Sequence, residues 1–215
     1  MAGVGTPRRT LVKVCGLTRL EDARTALDAG ADWLGFVIAG EGPRRIDPGA
    51  AADIVAALPS AYSVAVMVAP APDEALGHAT RAGAARIQLH RVDPTTWPRD
   101  FPLPVIFAIP VGPDGRIVAP LPRPEALVLL DTAHPLRAGG SGETFPWEGA
   151  VALAATREVM LAGGLGPDNV ERAIERVHPF AVDASSRLER APGIKDADQM
   201  RRFVAAVRRA DAVRA

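Results

Sequence analysis

The chain holds a single cysteine, Cys15, two residues after Lys13 at the end of a short apolar run. Residues two apart on a strand share a face, so thiol and ammonium point to the same region. A cation beside a thiol favours the thiolate, which can remove a proton or attack a carbon. Position alone is equally compatible with a small buried hydrophobe. Asp131 ends another apolar run, Leu127-Val128-Leu129-Leu130. A carboxyl desolvated at such a rim stays protonated and can serve as an acid. Alternatively it caps a loop by accepting backbone N–H groups. Asp183 ends a third run, where a loop-organising carboxylate is expected.

Other polar residues fall at comparable places. Gln88 and His90 are two apart at the end of one run, facing the same way and available to line a pocket. Arg44 and Arg45 follow another in Gly42-Pro43-Arg44-Arg45, and an arginine at a rim suits bidentate capture of a carboxylate. Leu161-Ala162-Gly163-Gly164-Leu165 leads into a helix start, and Val182-Asp183-Ala184-Ser185-Ser186 ends the last run. Glycine turns of this kind expose backbone N–H groups to anions. Gly139-Gly140-Ser141-Gly142 is a third glycine-rich loop, expected to close over a site and exclude water. His78, His90, His134 and His178 show no metal-ligand spacing with Cys15 or a carboxylate cluster, so no metal is expected.

These residues hang on a regular alternation. Apolar strand-like runs cover 11–14, 33–38, 62–68, 84–89, 104–108, 126–130, 159–161 and 180–182, and helical patterns cover 19–29, 50–58, 73–81, 147–156, 168–176 and 197–209. Residues 110–124 are rich in Gly and Pro with no helical period, so the crossover after the fifth strand should be shortened or irregular. Eight buried-type strands with intervening crossovers predict an α/β chain folded as a (β/α)8 TIM barrel, with an open doubly wound sheet as the competing topology. Cys15-Gly16-Leu17-Thr18 follows the first strand in place of a dinucleotide glycine fingerprint, which weighs against the open sheet. In a barrel, the loops after strands seven and eight are the customary phosphate site.

The 215 residues fit one domain, with the barrel proper over about 10–209, and 48% are hydrophobic. Lys and Arg number 25 and Asp and Glu also 25, so no global attraction to nucleic acid or membrane is implied. No apolar stretch is long enough to span a bilayer, no signal-peptide core opens the sequence, and the lone cysteine forms no internal disulfide. A cytoplasmic protein is expected.

The same residues resemble the phosphoribosylanthranilate isomerase family from Val12 to the last helix. The matching segments are Lys13-Val14-Cys15-Gly16-Leu17-Thr18, Gly30-Ala31-Asp32-Trp33-Leu34-Gly35-Phe36-Val37, Ile87-Gln88-Leu89-His90 and Leu129-Leu130-Asp131-Thr132. They continue through Gly139-Gly140-Ser141-Gly142 with Phe145 and Trp147, then Leu161-Ala162-Gly163-Gly164-Leu165 with Asn169-Val170. Pro179-Phe180-Ala181-Val182-Asp183 follows, with Ser186, Glu189 and Pro192-Gly193-Ile194-Lys195-Asp196. The resemblance implies a cofactor-free Amadori rearrangement of N-(5-phosphoribosyl)anthranilate in tryptophan biosynthesis. It implies Asp131 as general acid and Cys15 as general base, with one pKa raised and the other lowered. It further implies Arg44 on the anthranilate carboxylate, Lys13, Gln88 and His90 around the substrate, and Gly163, Gly164, Ser185, Ser186 and Arg187 at the phosphate. The partner is then a small phosphorylated molecule, and the protein a monomer or homodimer.

The sequence departs from the family pattern at four positions. Gly42 replaces a usual serine, Arg91 and Arg187 replace usual glycines, and Phe107 stands where a lysine is common. Rival readings are a related barrel enzyme on another phosphorylated aminosugar, a lyase resembling indole-glycerol-phosphate synthase, and an inactive sugar-phosphate binder. The lyase should carry catalytic lysine and glutamate at several strand ends, whereas this chain offers Cys15 and Asp131.

Overall fold

The computed structural model describes residues 9–58, 62–132 and 145–214. Eight parallel strands form a closed barrel in chain order: β1 (Leu11–Cys15), β2 (Trp33–Ala39), β3 (Tyr62–Val68), β4 (Arg86–His90), β5 (Val105–Val111), β6 (Leu127–Thr132), β7 (Val159–Leu161) and β8 (Ala181–Ala184). β8 pairs with β1 in the register Leu11↔Ala181 and Lys13↔Asp183, and this closure excludes the open sheet. The helices are α1 (Leu20–Ala29), α2 (Pro48–Ala56), α3 (Pro72–Arg81), α4 (Glu148–Ala154), α5 (Val170–Val177) and α6 (Ala197–Arg214).

The pleat sorts each strand into two faces, and two apolar clusters result. Outward residues such as Val12, Val14, Leu34, Phe36, Ile87, Leu89, Val128 and Leu130 pack with the helices. Inward residues Trp33, Val64, Val66, Ile106, Leu129, Met160 and Ala181 fill the barrel with Cys15. At the N-terminal ends of the strands, Trp33 lies 6.3 Å from Phe180, and the Arg86 guanidinium sits 4.8 Å over the Trp33 ring. The barrel floor is thus closed by apolar and cation–π contact, leaving polar side chains to the opposite mouth.

Two crossovers have no α-helix. Between β4 and β5, Trp97 packs against Phe101 at 5.4 Å and Phe107 at 6.5 Å, covering that side of the barrel. Phe107 points outward into this cluster, so its departure from the family pattern does not touch the barrel interior. After β5 the predicted irregular crossover is present. Val111 bridges Ile117, and the Arg157 guanidinium donates to the carbonyls of Pro122, Arg123 and Ala126. β5 extends to Val111, which gives Asp131 and Thr132 ladder partners in Pro110 and Val111, so Asp131 lies inside β6 rather than in the loop beyond it.

Helix ends follow local chemistry. Asp47 accepts the Gly49 N–H at the start of α2, with Pro48 in the first turn. Gly30 at φ 101° ends α1, its N–H donating to Ala26 and Leu27 carbonyls. Asp196 accepts from Asp198 and Gln199 N–H groups at the start of α6. That helix runs five residues past the predicted Arg209, because Asp211 accepts from Thr10 N and Oγ1 and so ties α6 to the entry of β1. A short hairpin, β9 (Glu189–Ala191) with β10 (Ile194–Lys195), follows β8 and was not predicted. The Gly139–Gly142 loop lies outside the described residues.

Candidate active site

The strand residues singled out for chemistry, Lys13, Cys15, Gln88, His90 and Asp131, have the inward parity of their strands, as does Asp183. Lys13 Nζ donates to Asp183 Oδ1 at 2.9 Å with both side chains buried. Asp183 was expected to organise a loop. It turns into the barrel instead, because it follows Ala181 on the inward face and is the register partner of Lys13 on β1. Cys15 lies one step further up the same face. Gly35 makes room for both: a Cβ there would stand 2.8 Å from Cys15 Sγ and 3.0 Å from Lys13 Nζ.

Burial and charge set the protonation states. Desolvation drives the Asp131 carboxyl up to about 7, and the negative Asp183 adds to this, against the Thr132 N–H bond (2.8 Å) and the Lys13 charge. This agrees with the expected upward shift of the acid. The expected downward shift of the thiol is corrected: burial pushes Cys15 above its ordinary value and outweighs the opposing Lys13 charge. Burial also works against the Lys13 ammonium, but Asp183 and Cys15 more than offset it, so Lys13 keeps its proton firmly. Lys13 is the common cation of this mouth, acting on Cys15, Asp131 and His90.

His90 is held down to about 4 by burial, helped by the Lys13 and Arg91 charges, and is neutral at pH 7. Its Nε2 lies 2.9 Å from Gln88 Nε2, while Gln88 Oε1 is buried without a hydrogen-bond partner among the described residues. A buried acceptor of this kind is costly unless a ligand satisfies it. Arg91, one of the departures, sits just past β4 in the left-handed region at φ 55°.

Arg44 reaches the mouth from the loop after β2. Its Nε and Nη2 donate to the two carboxylate oxygens of Glu189 at 2.8 Å each, a bidentate pair. Glu189 also accepts from Lys195 Nζ at 2.9 Å, and Lys195 donates to Ser185 O at 3.1 Å. Burial alone would raise Glu189, yet Arg44 and Lys195 hold it below the usual range. The β9–β10 turn buttresses this loop so closely that a Cβ on Gly193 would stand 2.3 Å from Pro43 O. Gly42 has left-handed backbone at φ 100° with open space around it.

Across the mouth, the loops after β7 and β8 approach each other. Gly163 (φ 80°) and Gly164 (φ 62°) make the turn after β7, and a Cβ on Gly163 would meet Thr132 Oγ1 at 2.5 Å. Asn169 Nδ2 donates to Gly164 O at 2.9 Å, and its Oδ1 accepts Gly166 N at 2.8 Å. Ser185 Oγ donates to Cys15 O at 3.0 Å, joining the loop after β8 to the strand of the thiol. Ser186 opens a 3-10 turn, and its hydroxyl has no partner among the described residues. The guanidinium of Arg187 is engaged by Gly164 O and Asp168.

Three residues that hold this arrangement together carry no role in the sequence reading: Gly35, Glu189 and Lys195. The signal for the last two was faint. A charged pair flanks Pro192-Gly193 in a segment too short for a helix, which marks a hairpin but not its docking against Arg44.

The chain matches the family model described as N-(5'-phosphoribosyl)anthranilate isomerase over residues 12–206. It is 43% identical over 206 residues to the N-(5'-phosphoribosyl)anthranilate isomerase of Desulforudis audaxviator, covering 94% of this chain and 99% of that one. The crystal structure of the Thermus thermophilus phosphoribosyl anthranilate isomerase superimposes with a TM-score of 0.81 at 40% identity, covering 93% of this chain and 99% of that one. A further structure of the enzyme, in complex with reduced 1-(o-carboxyphenylamino)-1-deoxyribulose 5-phosphate, gives a TM-score of 0.75 at 31% identity, covering 93% and 98%. Full-length matches of this strength, joined to a closed barrel whose mouth carries Cys15, Asp131 and the glycine turn after β7, show that the chain belongs to the phosphoribosylanthranilate isomerase family.

Proposed function

We infer that this chain isomerises N-(5'-phosphoribosyl)anthranilate to 1-(2-carboxyphenylamino)-1-deoxyribulose 5-phosphate, with Asp131 as general acid and Cys15 as general base. The observation that carries the role of Asp131 is its position: inside β6, on the inward face, with a carboxyl desolvated to about 7. A carboxyl that holds its proton near neutrality can deliver it to the furanose ring oxygen, opening the ring to a Schiff base. Cys15 then takes the proton from C2 of the sugar. The resulting enolamine tautomerises to the ketone, and the proton gained by Cys15 is returned to Asp131 before the next turnover.

The rest of the mouth suits the two charged ends of this substrate. Arg44 is pre-aligned by Glu189 and presents its remaining N–H groups to the anthranilate carboxylate. The loops of Gly163-Gly164 and Ser185-Ser186 take the phosphate, with the Ser186 hydroxyl as one donor. Gln88 Oε1 and neutral His90 offer an acceptor and a tautomer-dependent partner to the sugar hydroxyls. The related structure bound to a reduced product analogue supports a ligand of this size in the family's barrel.

The test is conversion of freshly generated phosphoribosylanthranilate, followed by loss of fluorescence against uncatalysed decay, with the ketose product confirmed by mass. Cys15→Ala and Asp131→Asn should each lower kcat by about two to four powers of ten. Folded variants that retain wild-type turnover would remove these two residues from the mechanism.

A further inference from the structure

The phosphate reading leaves one feature unexplained. At the position after the serine pair, where the resemblance leads one to expect glycine, this chain carries Arg187, and its guanidinium is already occupied. Nη1 donates to Gly164 O at 3.2 Å and Nη2 contacts Asp168 Oδ2 at 2.6 Å. One side chain rooted after β8 therefore grips both the glycine turn after β7 and the approach to α5. Gly166 lets it lie flat, since a Cβ there would stand 3.0 Å from Arg187 Nε and 3.2 Å from Asp168 Oδ1. The carbonyl of Gly164 takes a second donor, Asn169 Nδ2 at 2.9 Å, so it is fixed from both sides.

We propose that Arg187 is a positioning residue, a strap that sets the spacing of the β7 and β8 loops and so pre-forms the cradle for the substrate's phosphate. A glycine turn at positive φ is conformationally permissive, and the anion must otherwise pay for ordering it. Clamping Gly164 O fixes the orientation of the peptide units around it before the phosphate arrives. The pair with Asp168 holds the guanidinium in that pose and offsets its charge, so the strap acts through loop geometry and not as a phosphate ligand. The proposal rests on the assignment of these two loops to the phosphate.

Asp168 separates the two ways an arginine could act here. If Arg187 is a strap, Arg187→Ala and Asp168→Ala both weaken phosphate binding, because each loosens the same tie. If Arg187 is a direct ligand, Asp168→Ala frees its charge and tightens binding. Calorimetric titration of inorganic phosphate into wild type, Arg187→Ala, Asp168→Ala and Gly166→Ala measures this without turnover. All three variants are expected to raise Kd by about three- to tenfold. In the isomerase assay the KM should rise by a similar factor with kcat within about twofold, as for lost ground-state and transition-state binding in equal measure. Unchanged Kd in Arg187→Ala, or tighter binding in Asp168→Ala, overturns the strap, and so does a wild type that does not bind phosphate. A wild type that binds phosphate without isomerising the substrate overturns the proposed reaction alone, while the variant ratios still judge the strap.

Discussion

Lys13 Nζ donates to Asp183 Oδ1 at 2.9 Å inside the barrel, and the two are cross-strand neighbours on the pair that closes it. Opposite charges removed from water hold together only as a pair, and loss of one partner leaves the other uncompensated. Asp183→Asn and Lys13→Met should therefore each destabilise the fold by about 3–5 kcal/mol. The double variant should recover part of that loss. Urea unfolding of the three proteins measures the coupling, and strictly additive losses would show that the pair is not an energetic unit.

The pH dependence follows from two pKa values displaced in the same direction. Asp131 is raised to about 7 and Cys15 above its usual value, both by burial first. In the proposed mechanism the reacting form has Asp131 protonated and Cys15 ionised, hence one proton shared between two sites. That proton count dominates between the two values, so the reactive minority form is a constant fraction across the interval. Thus kcat/KM should climb with pH until about 7, stay level, and fall only in the alkaline range. A profile that declines through 7 would mean that the thiol ionises below the carboxyl, against the burial of Cys15.

Gly35 is the gap into which Lys13 and Cys15 fit. A methyl group added there stands 2.8 Å from Sγ, and because Cys15 Cα is 3.1 Å from the same point, the thiol cannot simply swing aside. Gly35→Ala should cost about 1–3 kcal/mol as overpacking. It should also lower kcat by about two powers of ten by displacing the proposed base, Cys15, from its approach to the substrate. Steady-state kinetics beside thermal unfolding checks both, and a variant with wild-type kcat would show that the thiol's placement is not critical.

The sequence carried the strand parity: Lys13 and Cys15, and Gln88 and His90, were readable as pairs on one face because the side-chain period of a strand is two. It did not carry the register in which the last strand meets β1. From the sequence, Asp183 is a strand-end carboxylate suited to organising a loop, and only the register of ring closure makes it the partner of Lys13. The thiol's pKa lies beyond the sequence for a related reason. A lysine two residues away is visible in the chain, but the desolvation that outweighs it comes from the whole barrel. Arg44 was legible as a rim cation, whereas its partner Glu189 lies 145 residues away and meets it only through the hairpin after β8. The helix-free crossover after β5 was readable from its Gly and Pro content, since no helical period was possible there.

The raised pKa of Asp131 has a cost in stability that can be measured apart from catalysis. In the unfolded chain the carboxyl ionises near its ordinary value, while in the folded protein it waits until about 7. Below the unfolded value both states are protonated and the full stability is present. As pH climbs from there through 7, the unfolded state ionises first and wild-type stability falls. Asp131→Asn keeps an acceptor for the Thr132 N–H, which now bonds Asp131 Oδ1, and has nothing to titrate. The variant should therefore gain on wild type by about 1–3 kcal/mol between about pH 5 and about pH 8, even as turnover is lost. Urea unfolding of both proteins at the two pH values reads the difference. A gap that stays constant or narrows with pH would show that the carboxyl is not held protonated by the fold, and would remove the physical basis for its role as the acid.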